Sequence, residues 1–303
     1  MKIAFFGTPD FAVPTLLELQ NDQEIEVKLV ITQPDRKVGR KLKITPPPVK
    51  QSAIELGIPV AQPTNSSELR EALSTLEVDF FVVVAYGMIL SEEILKIPKI
   101  APINIHASLL PKYRGASPIQ QALLNGDKES GVAIMKMEKK MDTGPIYAMQ
   151  RVEISDNEGL EQLHDRLSIL GAKLICSTLK DIEEEALIAI EQNSTGASYC
   201  KKISKNDGLI DWNKDTKEIL NMIRAYTPWP STQTEVNGVM LKILAAEDGE
   251  TKINPGEIVL EASSLKIGTG SGSISIKNLQ SPGKKPSDIS SFINGNKKLF
   301  TDN

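Results

Sequence analysis

Along the first half of the chain, short apolar runs alternate with helical patterns: "KIAFFG" then "DFAVPTLLELQ", "EVKLVITQ" then "VKQSAIELG", "VDFFVVVAYG" then "SEEILKI", "INIHAS" then "SPIQQALLNG". A run as uniformly apolar as "FFVVV" keeps no polar face for water, so such a strand must be covered on both sides. Successive strands of this kind return in the same direction through a crossover, and the intervening helix supplies it. The pattern predicts an α/β fold: a Rossmann-like, open, mostly parallel sheet with helices on both faces. "SGVAIMKM" and "GPIYAMQRVEI" read as two further strands joined at "EKKMDT". Leu160, Leu163, Leu167, Leu170 and Leu174 then recur at helical period and close the domain. His164 lies beside that stripe and reads as a partly exposed helix histidine.

After "DIEEE", the segment "EQNSTGASYCKKISKNDG" is polar and contains glycine, the composition of an exposed linker. This places a first domain at 1–189, a linker at 190–206 and a second domain at 207–303. In the latter a helical pattern, "KEILNMIRAY", precedes short alternating strands with a hairpin signal at "VNG" and Gly/Ser turns, as in a small barrel or sandwich.

A chain of 303 residues, 40% hydrophobic and 24% charged, can bury two such cores. Its longest apolar stretch, "FFVVVAYGMIL", is too short for a membrane span, and the N-terminus lacks a secretory apolar run, so a cytoplasmic protein is expected. Cys176 and Cys200 have neither metal-binding nor disulfide spacing. The net charge of −4 argues against non-specific coating of nucleic acid, yet Arg36, Lys37, Arg40, Lys41, Lys43 and Lys50 face a single acid, Asp35. "TPPP" at Thr45–Pro48 is expected to keep much of this basic segment from being helix or strand.

Ligands of open parallel sheets bind at the carboxyl ends of strands, and Asn104, His106 and Ser108 lie along or just past "INIHAS". Residues two apart share a strand face, so Asn104 and His106 point the same way. Two readings of the pair are equal on this segment alone: a site, or buried polar groups satisfied by backbone. "KKMDTGPI" tips the balance, because Asp142 supplies a carboxylate for the imidazole. Amide donor, imidazole and carboxylate suit acyl transfer to an amine, as oxyanion stabiliser, proton carrier and orienting group. "FFGTPDF" opens a helix after a strand, but Gly7 is its only glycine, so the dinucleotide fingerprint is missing.

Taken in order, "FFGTPDFAVPTL", "TQPDRKVGRKLKITPPPVK", "VVVAYGMIL", "INIHASLLPKYRGASPIQ", "MDTGPI", "IDW" and "IRAYTPWP" make the chain resemble the methionyl-tRNA formyltransferases nearly end to end. The Asn-x-His and Asp set with SLLP is shared by the wider group of 10-formyltetrahydrofolate users, so the basic loop and the C-terminal domain name the acceptor. The resemblance implies transfer of a formyl group from 10-formyltetrahydrofolate to the α-amine of methionine on initiator Met-tRNA, through a tetrahedral intermediate and without metal. Asn104 and His106 would hold the oxyanion, with Asp142 tuning the imidazole and assisting proton removal. Ser108, Leu109, Leu110 and Pro111 would shape the adjoining turn, and the pterin would lodge near Val84, Ala85, Tyr86, Gly87 and Met88. Arg36, Lys37, Arg40, Lys41 and Lys43 would contact the acceptor arm, Arg40 matching the family's key arginine. The second domain would be OB-like and would gather tRNA phosphates through Lys201, Lys202, Lys284 and Lys285, although it is only weakly basic, 14 Lys+Arg against 12 Asp+Glu over 201–303. A monomer is expected. The alternatives are a related enzyme formylating a ribonucleotide or amino sugar, and a tRNA-binding protein without catalysis.

Overall fold

The computed structural model describes residues 1–39, 42–261, 263–296 and 298–301. By compactness the chain forms two bodies, one of Met1–Gly115, Ser130–Val152 and His164–Tyr199, the other of Ala116–Glu129, Glu153–Leu163 and Cys200–Asn303.

In chain order the first two hundred residues give strands β1 (Lys2–Gly7), β2 (Glu26–Ile31), β3 (Arg36–Val38), β4 (Lys43–Thr45), β5 (Val60–Ala61), β6 (Phe80–Val84), β7 (Ala101–His106), β8 (Arg114–Gly115), β9 (Glu129–Lys136), β10 (Ile146–Glu153) and β11 (Tyr199–Cys200). The helices between them are α1 (Val13–Asn21), α2 (Pro48–Glu55), α3 (Ser66–Leu73), α4 (Glu92–Leu95), α5 (Pro118–Leu124) and α6 (Leu160–Glu183). A seven-stranded sheet runs in the order β10-β9-β7-β6-β1-β2-β5. β5, β2, β1, β6 and β7 pair in parallel, and β9 runs antiparallel to β7. All five residues of β6 are buried, as its composition demands. From β1 the chain moves outward through β2 to β5, then crosses to β6 on the opposite side. The strand order therefore reverses between β1 and β6, and their carboxyl ends, Gly7 and Val84, lie in register.

The sequence's leucine stripe shifts along α6. The fully buried residues are Leu163, Leu167, Ile175 and Leu179, because a repeat of three and four residues drifts around a helix of 3.6 per turn. Gly171 lies where α6 passes β7, and a Cβ there would crowd the Ile105 side chain at 2.9 Å. His164 behaves as read: its ring lies edge-on to Phe11 and bonds Asp165 at 2.9 Å. One expectation fails. The basic segment is an antiparallel hairpin, β3 against β4, with Arg36, Lys37 and Val38 opposite Thr45, Ile44 and Lys43. Both strands of the ladder lie before the prolines, ending at Thr45, and Pro48 opens α2, a position where its fixed φ and missing N–H cost nothing.

The second body contains α5, α7 (Thr216–Tyr226) and strands β12 (Thr232–Val236), β13 (Val239–Asp248), β14 (Ile258–Glu261), β15 (Ser264–Gly268), β16 (Ser273–Gln280) and β17 (Ser287–Asp288), then α8 (Ile289–Gly295) and α9 (Lys298–Thr301). The "VNG" turn joins β12 to β13 with Asn237 and Gly238 both at positive φ, +45 and +76, the geometry of a tight hairpin. The antiparallel sheet runs β12-β13-β16-β15-β14, and among the described residues no ladder joins β12 to β14, so it is a half-barrel. Ile243, Ile267, Ile274, Ile276 and Leu279 close its core against Ile219 and Ile223 of α7.

Gly131 on β9 tests how tightly the seven-stranded sheet is fitted. A Cβ there would run into the backbone carbonyl of Gln150 and the side chain of Leu109. Gly131→Ala should cost about 1–3 kcal/mol, the range for overpacking, read as a lower urea midpoint. An unchanged midpoint would show that β9 and β10 can part without penalty.

Candidate active site

β7 alternates Ile103, Asn104, Ile105, His106. Ile105 faces α6 at Gly171, so Asn104 and His106 share the other face. His106 is buried, and its Nε2 lies 2.9 Å from the main-chain oxygen of Tyr113. A carbonyl only accepts, so Nε2 carries the hydrogen and Nδ1 is the basic nitrogen of the neutral ring. Nδ1 stands 3.8 Å from Oδ1 of Asp142. That is long for a hydrogen bond and suited to an ion pair once Nδ1 takes a proton. The other carboxylate oxygen accepts from Gly115 N at 2.7 Å. Asn104 is half-buried, and among the described residues no protein group hydrogen-bonds its side chain.

The segment after β7 holds this pair. Ser108 is buried, its hydroxyl donating to the Lys112 carbonyl at 2.7 Å. Leu110 packs on Ala133 and Met135, and Leu109 and Pro111 are half-buried beside it. The loop is tied in turn to the 190–200 stretch: Tyr113 N donates to Ser198 Oγ and Arg114 N to the Ser198 carbonyl, both at 2.9 Å. Tyr113, Gly115 and Ser198 act through their main chain or through a small hydroxyl, which leaves little trace in a sequence. Arg114 and Gly115 at least lie inside the quoted "PKYRGASP".

One strand away, β6 ends at Val84, and Val83 is in register with Asn104. Ala85 and Gly87 are exposed with φ of +47 and +88, so the chain turns sharply out of the sheet. Among the described residues, the main chain of Ala85 to Met88 makes a single hydrogen bond, from Thr8 Oγ1 to the Tyr86 carbonyl at 2.9 Å. Burial pushes the Tyr86 hydroxyl up to about 12, so it stays neutral, 3.6 Å from the Met88 sulfur. Gln33, after β2, lies beside Gly87. Its Oε1 accepts from Arg36 Nη2 at 3.0 Å, and its buried Nε2 has no partner among the described residues. An unpaired buried donor costs about 1–3 kcal/mol, so a ligand acceptor there would remove a penalty.

Of the basic residues read from the sequence, Arg36, Lys37 and Lys43 are exposed on the β3–β4 hairpin, while Arg40 and Lys41 lie outside the described residues. The hairpin is rooted by Lys50, which donates to both oxygens of Asp35 at 2.7 and 2.9 Å and to Gln62 at 2.6 Å. The Lys50 ammonium, and then Gln62, hold the Asp35 carboxyl below its usual range. Lys50 is thus committed to its acid. In the second body Lys201, Lys202, Lys284 and Lys285 are all exposed, Lys201 lying 3.7 Å from Asp207. Among the described residues no group of three or more His, Cys, Asp or Glu side chains could hold a metal ion, and no helix is long and apolar enough to cross a membrane.

Residues 1–179 match the formyl transferase family, and residues 202–297 match the formyl transferase C-terminal domain. The chain is 42% identical over 298 residues to a methionyl-tRNA formyltransferase of Methylococcus capsulatus, covering 97% of this chain and 96% of that protein. A methionyl-tRNA formyltransferase of Listeria monocytogenes is 43% identical over 300 residues, covering 97% and 95%. Among solved structures, an N-formyltransferase of Helicobacter canadensis, in complex with folinic acid and dTDP-3-aminofucose, has a TM-score of 0.70 at 23% identity over 91% of this chain and 98% of that one. The last likeness is one of fold. Identity at the level of the first two, sustained through both domains, makes this chain a formyl-group transferase that belongs to the methionyl-tRNA formyltransferase family.

Proposed function

We propose that this protein transfers a formyl group from 10-formyltetrahydrofolate to the α-amine of methionine on initiator Met-tRNA in the cytoplasm, with the chemistry carried by residues 1–189 and tRNA binding shared with residues 207–303. The observation that carries this reading is Asn104, a half-buried amide with no protein partner among the described residues, on the same strand face as the buried His106–Asp142 pair. The neighbouring turn fits the folate. Apart from the Tyr86 carbonyl, the main chain at Ala85 to Met88 makes no hydrogen bond among the described residues and so offers donors and acceptors for the amide-like edge of a pterin, and Gln33 Nε2 offers one more donor.

The folate supplies the formyl carbon. As the amine attacks, negative charge grows on the formyl oxygen, and the Asn104 amide donates to it. The attacking nitrogen becomes cationic and must lose a proton. Because Nε2 of His106 is occupied by the Tyr113 carbonyl, Nδ1 is the nitrogen free to take it, and Asp142 then faces an imidazolium, which returns the proton to the folate nitrogen as the bond from that nitrogen to the formyl carbon breaks and tetrahydrofolate leaves. Burial keeps this pair from being diluted by water, while Gly115 N satisfies the second carboxylate oxygen. The basic hairpin supports the tRNA acceptor: Arg36, Lys37 and Lys43 present cations on a short ladder rooted by Asp35 and Lys50.

His106→Ala should lower turnover with initiator Met-tRNA by roughly two to four powers of ten, and Asn104→Ala by the equivalent of about 2.7–4 kcal/mol, with folate binding retained. Asp142→Asn should alter the pH–rate profile, since it keeps the shape and removes the charge. Wild-type turnover in folded His106→Ala would refute the assignment. An amino-sugar nucleotide formylated better than Met-tRNA would favour a small-molecule acceptor. In the basic segment of the sequence, Arg40→Ala should weaken use of Met-tRNA by about 1–3 kcal/mol without altering folate affinity. Removing Lys37 and Lys43 should flatten the log–log salt dependence of tRNA affinity by roughly 0.7–0.9 per contact. An unchanged salt slope would show that the hairpin does not touch phosphate.

A further inference from the structure

Asp142 sits at φ +53, a left-handed conformation that side chains other than glycine rarely hold without support. Two residues on, Gly144 is packed so closely that a Cβ would run into the Lys136 carbonyl, so the Asp-Thr-Gly turn has no slack. The support comes from Gln192, in the stretch whose composition reads as a linker. Gln192 Nε2 donates to the main-chain carbonyls of both Asp142, at 3.0 Å, and Gly144, at 2.7 Å. Its Oε1 accepts from Nε and Nη2 of Arg114 at 3.1 and 2.8 Å.

A primary amide has two N–H donors and two acceptor lone pairs, and here all four are used. The orientation is fixed: a guanidinium only donates and carbonyls only accept, so turning the amide over would set like against like on both sides. Arg114 is buried, and Tyr199 braces it, accepting from Nη1 at 3.2 Å with the ring centroid 5.9 Å from the guanidinium carbon. The residue after Arg114 is Gly115, whose N–H holds the Asp142 carboxylate. Arg114–Gly115 thus grips Asp142 twice, directly at the carboxylate and through Gln192 at the backbone.

Resting on the catalytic reading above, we propose that Gln192 is a positioning residue for the formyl transfer: it clamps the left-handed turn at Asp142 so that the carboxylate stays opposed to His106 Nδ1. It touches neither substrate nor reacting atoms. Its effect belongs to the step in which the imidazole takes the proton, not to binding.

The test uses the full chain with 10-formyltetrahydrofolate and initiator Met-tRNA. Gln192→Ala should lower kcat by about ten- to a hundredfold, the scale of a small misplacement of a reacting group, with both KM values changed by less than about twofold. Its pH–rate profile should move toward that of Asp142→Asn, which a merely structural loss would not do. Gln192→Glu separates the two halves of the clamp. It keeps an oxygen on Arg114, and so should fold at least as well, but it sets a second oxygen against two carbonyls. The proposal requires it to be as slow as Gln192→Ala. Wild-type kcat in Gln192→Glu would overturn the proposal, as would failure of both variants to fold, which would make Gln192 a structural strut. His106→Ala is run alongside: if it is slow while both Gln192 variants are fast, only this inference falls, and if it is fast, the catalytic reading falls as well.

Discussion

His106 is fixed between two acceptors, the Tyr113 carbonyl at Nε2 and the Asp142 carboxylate across from Nδ1. Much of the first body serves that arrangement. An imidazole and a carboxylate taken out of water lose hydration that their mutual attraction repays only if the remaining lone pairs are met. Here they are met by main chain: Gly115 N on the carboxylate and Tyr113 O on the ring. Both belong to the segment from the end of β7 through β8, so it can have few conformations, and its bonds to Ser198 limit it further. A single carbonyl thus decides which imidazole nitrogen is basic.

The sheet then determines what lies next to that nitrogen. Because strand order reverses between β1 and β6, their ends open a crevice, and β7 is the next strand beyond β6. Among the described residues, the turn at Ala85–Met88 pairs its main chain only at the Tyr86 carbonyl, one strand from Asn104. A donor lodged in that crevice and an amine arriving over β7 would meet at the Asn104 amide. The basic hairpin grows from the same edge of the sheet, since Arg36 bonds Gln33, which lies beside Gly87.

The parallel core was legible because its strands are apolar on both faces, a pattern with few solutions. Asn104, His106 and Asp142 stood out in the sequence as a candidate set and as family motif, yet their geometry did not: which nitrogen of His106 is tied depends on a carbonyl, and every residue has one. The hairpin was misread because three prolines dominate the local signal while the ladder forms just before them, from Arg36 to Thr45. Gln192 was invisible for another reason. Its neighbours are polar and its partners are remote, Arg114 by 78 positions and Asp142 by 50, so nothing nearby distinguishes it from a solvated linker residue. The leucine stripe of α6 gave the helix correctly and its buried face only in part, because Gly171 and Ile175 carry the contact that the leucines at 170 and 174 do not.

The central claim is that Nε2 of neutral His106 bears the hydrogen and Nδ1 faces Asp142 as the base. Nitrogen-15 NMR of the imidazole rings reads this directly, and with only two histidines in the chain, His164→Gln leaves His106 alone in the spectrum. With the ring neutral, the account predicts a pyrrole-like Nε2 and a pyridine-like Nδ1. The reverse pattern, with the hydrogen on Nδ1, would contradict it.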